Sequence, residues 1–65
     1  MLKANSLLIS QDIELTERMA KVLVGEGHDV SVCTRPREII SVIREKAFDV
    51  VFLDVHMRDA PYEKI

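Results

Sequence analysis

Three short apolar segments, separated by two segments of helical spacing, set the pattern of this chain. The predicted elements are strands over about 6–10, 28–34 and 49–54 and helices over about 13–25 and 36–46. The first and third strands are continuous apolar runs, which is typical of strands covered on both faces. The second alternates, with Val30 and Val32 on one side and Ser31 and Cys33 on the other, and this fits a half-exposed edge strand.

Both predicted helices carry end signals. Asp12 stands at the N-cap position of the first, and Gly25 with Gly27 brackets its C-terminal end. Pro36 suits the first turn of the second helix, and the cation of Lys46 suits its last turn. The second helix also has an apolar stripe expected to be buried, made of Ile39, Ile40, Val42 and Ile43.

The order strand, helix, strand, helix, strand predicts an α/β fold. Two overlapping βαβ units require a parallel sheet with right-handed crossovers. If the alternating second strand lies at an edge, the strand order in space is 2-1-3, and one helix covers each face. Ligands bind outside the carboxyl ends of such strands, where the chain reverses direction. We therefore expect Ser10, Gln11, Asp12 and Asp54 to converge there.

Composition narrows the possible functions. The 65 residues allow one small domain, of which 48% is apolar and whose net charge is -2. This charge gives no footprint for nucleic acid. No apolar run approaches the roughly 20 residues of a membrane span, and the start lacks a signal-peptide pattern. The single Cys33 fits a reducing compartment, so the cytoplasm is the expected setting.

Asp54 is the main candidate for chemistry because it follows an apolar strand at its carboxyl end. The alternative for Asp54 is a plain solvated carboxylate. For Asp12 we favour a helix cap over a binding role. His28 and His56 lack a ligand-spaced partner, and Cys33 lacks a neighbouring cation within its strand. No Gly-rich phosphate loop, Cys-x-x-Cys pair or nucleophile elbow is present, so an independent enzyme is not expected.

The segment Asp49–Met57, Asp-Val-Val-Phe-Leu-Asp-Val-His-Met, carries a family resemblance. Together with the preceding elements, it resembles the first half of a bacterial response-regulator receiver domain, and the match covers essentially residues 1–65. The resemblance implies a flavodoxin-like, doubly wound sheet of which only the first three strands are present. It also implies that Asp54 accepts a phosphoryl group from a histidine kinase or phosphotransfer protein. The family commonly has a methionine at the position of Met57.

The acidic pocket of the family is degenerate in this chain. Two adjacent acidic residues usually follow the first strand and bind Mg²⁺, but Ser10 and Gln11 occupy those positions. The resemblance leaves Asp54 and the backbone carbonyl of His56 as metal ligands, with Asp12 or Gln11 as further candidates. Mg²⁺ is usually held by one or two carboxylates and waters, so this site can still bind the ion. Because the two usual acidic residues are missing, we expect the binding to be weak.

Further departures leave two functions open. Arg58 stands where the family has a proline, and Tyr62 stands where a turn glycine is expected. The second half of the family's domain is also absent, so we expect a piece of a longer protein. One function is a phosphoacceptor module with Asp54 as its acceptor. The alternative is a pseudo-receiver that serves as a dimerisation or docking module without phosphoryl transfer.

The apolar surface also predicts self-association. Apolar residues of the first helix spread over roughly 200°, whereas one sheet face needs a stripe only a little over 100° wide. The third strand is wholly apolar, and its outer edge would be unpaired in a three-stranded sheet. Either a missing second half or a second copy of the chain is expected to cover these surfaces. No nucleic-acid or membrane partner is expected.

Overall fold

The computed structural model describes residues 3–65 as a three-stranded parallel sheet with two α-helices. The elements in chain order are β1 (Asn5–Ile9), α1 (Ile13–Gly25), β2 (Asp29–Cys33), a 3₁₀ helix (Pro36–Glu38), α2 (Ile39–Glu45), β3 (Val50–Leu53) and a second 3₁₀ helix (Tyr62–Lys64). Within residues 3–65, no helix is long and apolar enough to cross a membrane.

The sheet has the order β2-β1-β3, which confirms the predicted 2-1-3 arrangement. Both pairs are parallel, and Leu8 of β1 lies opposite Val32 of β2 and Phe52 of β3. β1 is therefore the central strand, and β2 and β3 form the two edges. Each of the three strands differs from its predicted range by one residue at both ends.

The ends of α1 follow from the residues placed there. Asp12 accepts a hydrogen bond from the Leu15 N–H at 3.1 Å, which confirms its predicted role as a helix cap. At the other end, Gly27 has φ +88°. The Gly27 N–H bonds the Val24 carbonyl at 3.0 Å, and the His28 N–H bonds the Leu23 carbonyl at 3.0 Å. This is a Schellman ending, and it depends on glycine tolerating a positive φ.

The second helix differs from its predicted range of 36–46. Residues 36–38 form a 3₁₀ turn, with the Glu38 N–H bonding the Arg35 carbonyl at 3.0 Å, and α2 begins only at Ile39. Short i→i+3 turns are common at the start of an α-helix. Lys46 is extended, at φ -136° and ψ 155°, so the helix ends at Glu45 and Lys46 lies outside its last turn.

One face of the sheet is covered by α2 and the chain that follows β3, although Val51 of β3, which lies on this face, is 40% exposed. The buried cluster on this face consists of Leu7, Ile9, Cys33, Ile39 and Met57. Val42 and Ile43 of α2 pack against it and are half-buried. We call this surface the α2 face; it contains most of the buried apolar side chains of the described chain.

The opposite surface, which we call the α1 face, is much more open. Leu8 is buried there at 1% exposure, but Val32 is 46% exposed and Phe52 is 37% exposed. Val50 is 40% exposed as well, so the prediction that β3 is covered on both faces is wrong. An edge position leaves β3 with one neighbouring strand, and no strand within residues 3–65 pairs with its outer edge.

Candidate functional site

Asp54 lies where the carboxyl ends of β1 and β3 meet. Its backbone N–H donates to the Ile9 carbonyl at 2.9 Å and so extends the β1–β3 pairing beyond Leu53. On the other side of β1, the Ser10 N–H donates to the Cys33 carbonyl at 3.1 Å. Ser10 and Asp54 are therefore fixed by their backbones at the same end of the sheet.

Two donors orient the Asp54 carboxylate. The Ser10 hydroxyl donates to Oδ2 at 2.7 Å, and the His56 backbone N–H donates to Oδ1 at 2.9 Å. The second bond is typical of an Asx turn, in which an aspartate binds its own backbone two residues further on. The Met57 N–H also donates to the Asp54 carbonyl at 3.2 Å, which closes a turn over residues 54–57.

These donors favour the ionised form of Asp54. The hydrogen bond from Ser10, followed by the one from the His56 backbone, holds the pKa of the Asp54 carboxyl below its usual value, and desolvation of the carboxyl acts in the opposite direction. Since the folded-state pKa is lowered, ionised Asp54 stabilises the fold at pH values above its unfolded-state pKa. This contribution disappears as the pH falls through the folded-state pKa.

The other predicted site residues lie nearby without contacting the Asp54 carboxylate. The Asp12 carboxylate caps α1, and the Asp12 N–H donates to the Ser10 hydroxyl oxygen at 3.0 Å. Gln11 Oε1 accepts a long hydrogen bond of 3.4 Å from the Arg58 N–H. The structure therefore brings the four residues to one end of the sheet, as expected, but joins only Ser10 directly to Asp54.

The oxygen donors at this site fit Mg²⁺ only as a loosely held ion. Residues 3–65 contain no cluster of three or more His, Cys, Asp or Glu side chains arranged to hold a metal. Asp54 supplies one carboxylate, which has further lone pairs beyond its two hydrogen bonds. Of the neutral ligands that the resemblance implies, Gln11 Oε1 already accepts from the Arg58 N–H, and His56 contacts the carboxylate through its N–H. One carboxylate, waters and a substrate phosphate form a known set of Mg²⁺ ligands. Asp12 can join this set only by giving up its cap.

Two side chains hold the loop after Asp54 in place. Met57 is buried in the core of the α2 face, at 4% exposure. The Tyr62 hydroxyl lies 3.0 Å from the Asp54 carbonyl and also contacts the Met57 carbonyl. The sequence pattern marked Met57 only through the family resemblance and Tyr62 only as a departure from it. Neither residue lies in a periodic segment that would have revealed these contacts.

The remaining titratable candidates have structural partners. His28 Nδ1 accepts a hydrogen bond from the Ala4 N–H at 3.0 Å, so it joins the start of β1 to the end of α1. Cys33 is buried, and its thiol lies 3.5 Å from the Arg35 carbonyl. Arg35 also pairs with Glu38 at 3.6 Å on the surface. These contacts support the structural interpretation of His28 and Cys33.

No protein-family model, curated protein or solved structure matches this chain. The interpretation of the site therefore depends on the residues themselves, on the strand order and on the geometry around Asp54.

Proposed function

We propose that this chain is the first half of a receiver-like, flavodoxin-type signalling module that accepts a phosphoryl group on Asp54. The observation that carries the proposal is the placement of Asp54. Its half-exposed carboxylate lies at the carboxyl ends of the two neighbouring strands, is oriented by two donors and is biased toward ionisation. An ionised, fixed carboxylate is the form that a nucleophile in phosphoryl transfer requires.

In the proposed reaction, an oxygen of Asp54 forms an O–P bond as the P–N bond of a phosphohistidine breaks. The imidazole nitrogen of the donor keeps the electron pair of the broken bond. Ser10 and His56 hold the carboxylate still during this exchange, which is useful because positioning and charge neutralisation dominate phosphoryl transfer. When bound by Asp54, the His56 carbonyl and Gln11, Mg²⁺ would neutralise charge on the phosphoryl oxygens.

The proposed donor of the phosphoryl group is a histidine kinase or phosphotransfer protein, and the proposed location is the cytoplasm. A groove of about 300 Å³ between α1 and β3 supports docking of a donor protein, because the groove reaches Asp54 at one end. Its lining is mainly apolar and includes Leu15, Met19 and Phe52. A donor protein that contacts these side chains would bring its phosphohistidine to Asp54. In this proposal the chain is an acceptor and not an independent enzyme.

A second function, docking or dimerisation without phosphoryl transfer, is favoured by a specific observation. The Ser10 hydroxyl binds Asp54 at the position where the family resemblance implies a metal-binding acid. The site therefore keeps its carboxylate ordered but has only one carboxylate for a metal. The exposed apolar side chains of the α1 face would then be the working surface.

Intact-mass measurement after incubation with a small phosphodonor, over a series of Mg²⁺ concentrations, separates the two functions. We expect one phosphoryl mass increment in the native chain and none in Asp54→Asn. A matched variant with Ser10→Asp and Gln11→Asp should reach the same increment at a lower Mg²⁺ concentration, because it restores two carboxylates.

The outcomes are distinct. Absence of the increment in the native chain at every Mg²⁺ concentration, combined with its appearance in the doubly substituted variant, would support the docking function. An increment that persists in Asp54→Asn would place the chemistry on another residue and overturn the assignment of Asp54. Equal Mg²⁺ dependence of the native and doubly substituted chains would show that Asp12 or another group already supplies the missing ligand.

A further inference from the structure

Ser10 occupies an unusual position for a hydroxyl. It is 3% exposed, although it immediately follows β1 at the open end of the sheet. Its hydroxyl makes two hydrogen bonds: it donates to Asp54 Oδ2 at 2.7 Å and accepts from the Asp12 N–H at 3.0 Å. The single hydroxyl proton is therefore committed to Asp54, because the backbone N–H of Asp12 can only donate.

We infer that Ser10 is a positioning residue of the Asp54 site, and that its hydroxyl fixes the orientation of the carboxylate relative to α1. The inference deepens the proposed function, on which it rests for the meaning of the site. A hydrogen bond to an ionised acceptor is about twice as strong as one between neutral groups, and a 2.7 Å O–H···O⁻ contact is in the short range expected for it. Burial of Ser10 limits competition from water.

The same hydroxyl connects Asp54 to the start of α1. A chain of three hydrogen bonds runs from the Leu15 N–H to Asp12 Oδ1, from the Asp12 N–H to Ser10, and from Ser10 to Asp54. Every donor in this chain has its acceptor, and no buried side-chain nitrogen or oxygen in the described part of the chain lacks a partner. The carboxylate is thus held against the first turn of the helix that lines the groove.

The test follows the second donor to the same carboxylate. Hydrogen exchange measured by NMR at one pH follows the His56 N–H, which donates to Asp54 Oδ1, in the native chain, in Ser10→Ala and in Ser10→Thr. Because a carboxylate without its bond to Ser10 can rotate away from the His56 N–H, we expect this hydrogen to exchange faster in Ser10→Ala. We expect Ser10→Thr, which keeps the hydroxyl, to restore the native exchange rate.

An internal control distinguishes positioning from a general loss of structure. The Asn5 N–H donates to Asp49 Oδ2 at 2.7 Å and is not bonded to Ser10, so its hydrogen exchange should be the same in all three proteins. If Ser10→Ala does not fold, Ser10→Cys offers similar size with a much weaker donor and should give the same faster exchange of the His56 N–H.

Exchange of the His56 N–H that is unchanged in a folded Ser10→Ala or Ser10→Cys protein would overturn the inference. The test needs no phosphoryl transfer, so its outcome is independent of the mass measurement. Faster exchange without phosphorylation would leave Ser10 as a positioning residue of a docking site. Phosphorylation with unchanged exchange would retain the proposed function and assign the positioning to another group.

Discussion

The two faces of the sheet are built from the same three strands but differ in how completely they are covered. On the α2 face, Ile39 is fully buried and Met57 of the loop after β3 joins it in the core. On the α1 face, α1 covers the central Leu8, whereas the edge residues Val32 and Phe52 keep more than a third of their surface exposed. The α2 face therefore contains most of the buried core, although Val51 of β3 is 40% exposed there, and the α1 face offers more surface for contacts.

The Asp54 site uses both faces. Its anchor, Met57, is buried on the α2 face, whereas the Asp54 carboxylate lies at the end of the groove on the α1 side with Ser10. The Asp54 carboxylate is ordered because Met57 anchors its loop on the α2 face. It is accessible because it lies on the more open α1 face. Functional side chains commonly depend on such support from a rigid scaffold.

The largest difference between the two faces is expected when an isoleucine is replaced by alanine in α2 and in α1 and the losses in the free energy of unfolding are compared. Ile39→Ala opens a cavity in the buried core, and we expect a loss of about 2–5 kcal/mol in the free energy of unfolding. Ile13→Ala, on α1, removes a side chain that is already 54% exposed, and we expect a change within about 0.5 kcal/mol. Urea unfolding followed by far-UV circular dichroism measures both. Equal losses in the two variants would show that the α1 face is packed as tightly as the α2 face.

Much of the architecture could be predicted from the sequence because the determinants are local. The apolar runs, the Asp12 cap and the glycine after α1, Gly27, act within a few residues. The two βαβ units limit the topology to a parallel sheet. The placement of Asp54 follows from the topology too, since strand ends meet at one edge. The strand order was accessible because one strand alternates whereas the other two do not.

The exposure of β3 and the contacts within the site could not be obtained in this way. An apolar run predicts that a strand can be buried, but it does not show that this chain supplies the cover. The pairing of Ser10 with Asp54 and the contact of Tyr62 with the Asp54 loop depend on side-chain orientations across long or irregular separations. The 3₁₀ start of α2 likewise reflects a local choice between two hydrogen-bond patterns near Pro36.

Self-association through β3 would show that the exposed apolar surface of the sheet is used for contacts between copies of the chain. The outer edge of β3 has no neighbouring strand in the described chain, and unpaired apolar edges are templates for pairing. We expect the 65-residue chain to dimerise or aggregate at micromolar concentration in sedimentation equilibrium. Val50→Lys, which places a charge on this edge, should weaken the association constant by about tenfold or more, or about 1.4 kcal/mol.

Val24→Lys is the matched control, because it adds the same charge to a 60% exposed valine near the end of α1. An equal effect of both substitutions would move the contact away from β3. A native chain that sediments as a monomer and unfolds cooperatively would defeat the prediction.

The smallest effect is expected at Tyr62, which contacts the loop between the Asp54 carboxylate and the buried Met57. Its hydroxyl contacts the carbonyls of Asp54 and Met57, and it holds one proton, so Tyr62→Phe removes a single shared donor while keeping the ring. We expect a loss of about 1 kcal/mol in the free energy of unfolding, the usual value for one hydrogen bond. The local effect should be clearer: the Met57 N–H, which donates to the Asp54 carbonyl, should exchange its hydrogen faster. Glu63→Gln in the same 3₁₀ helix is the control and should leave that exchange unchanged. If Tyr62→Phe also leaves the exchange of the Met57 N–H unchanged, burial of Met57 alone holds the Asp54 loop. The packing of the α2 face would then be sufficient to position the site.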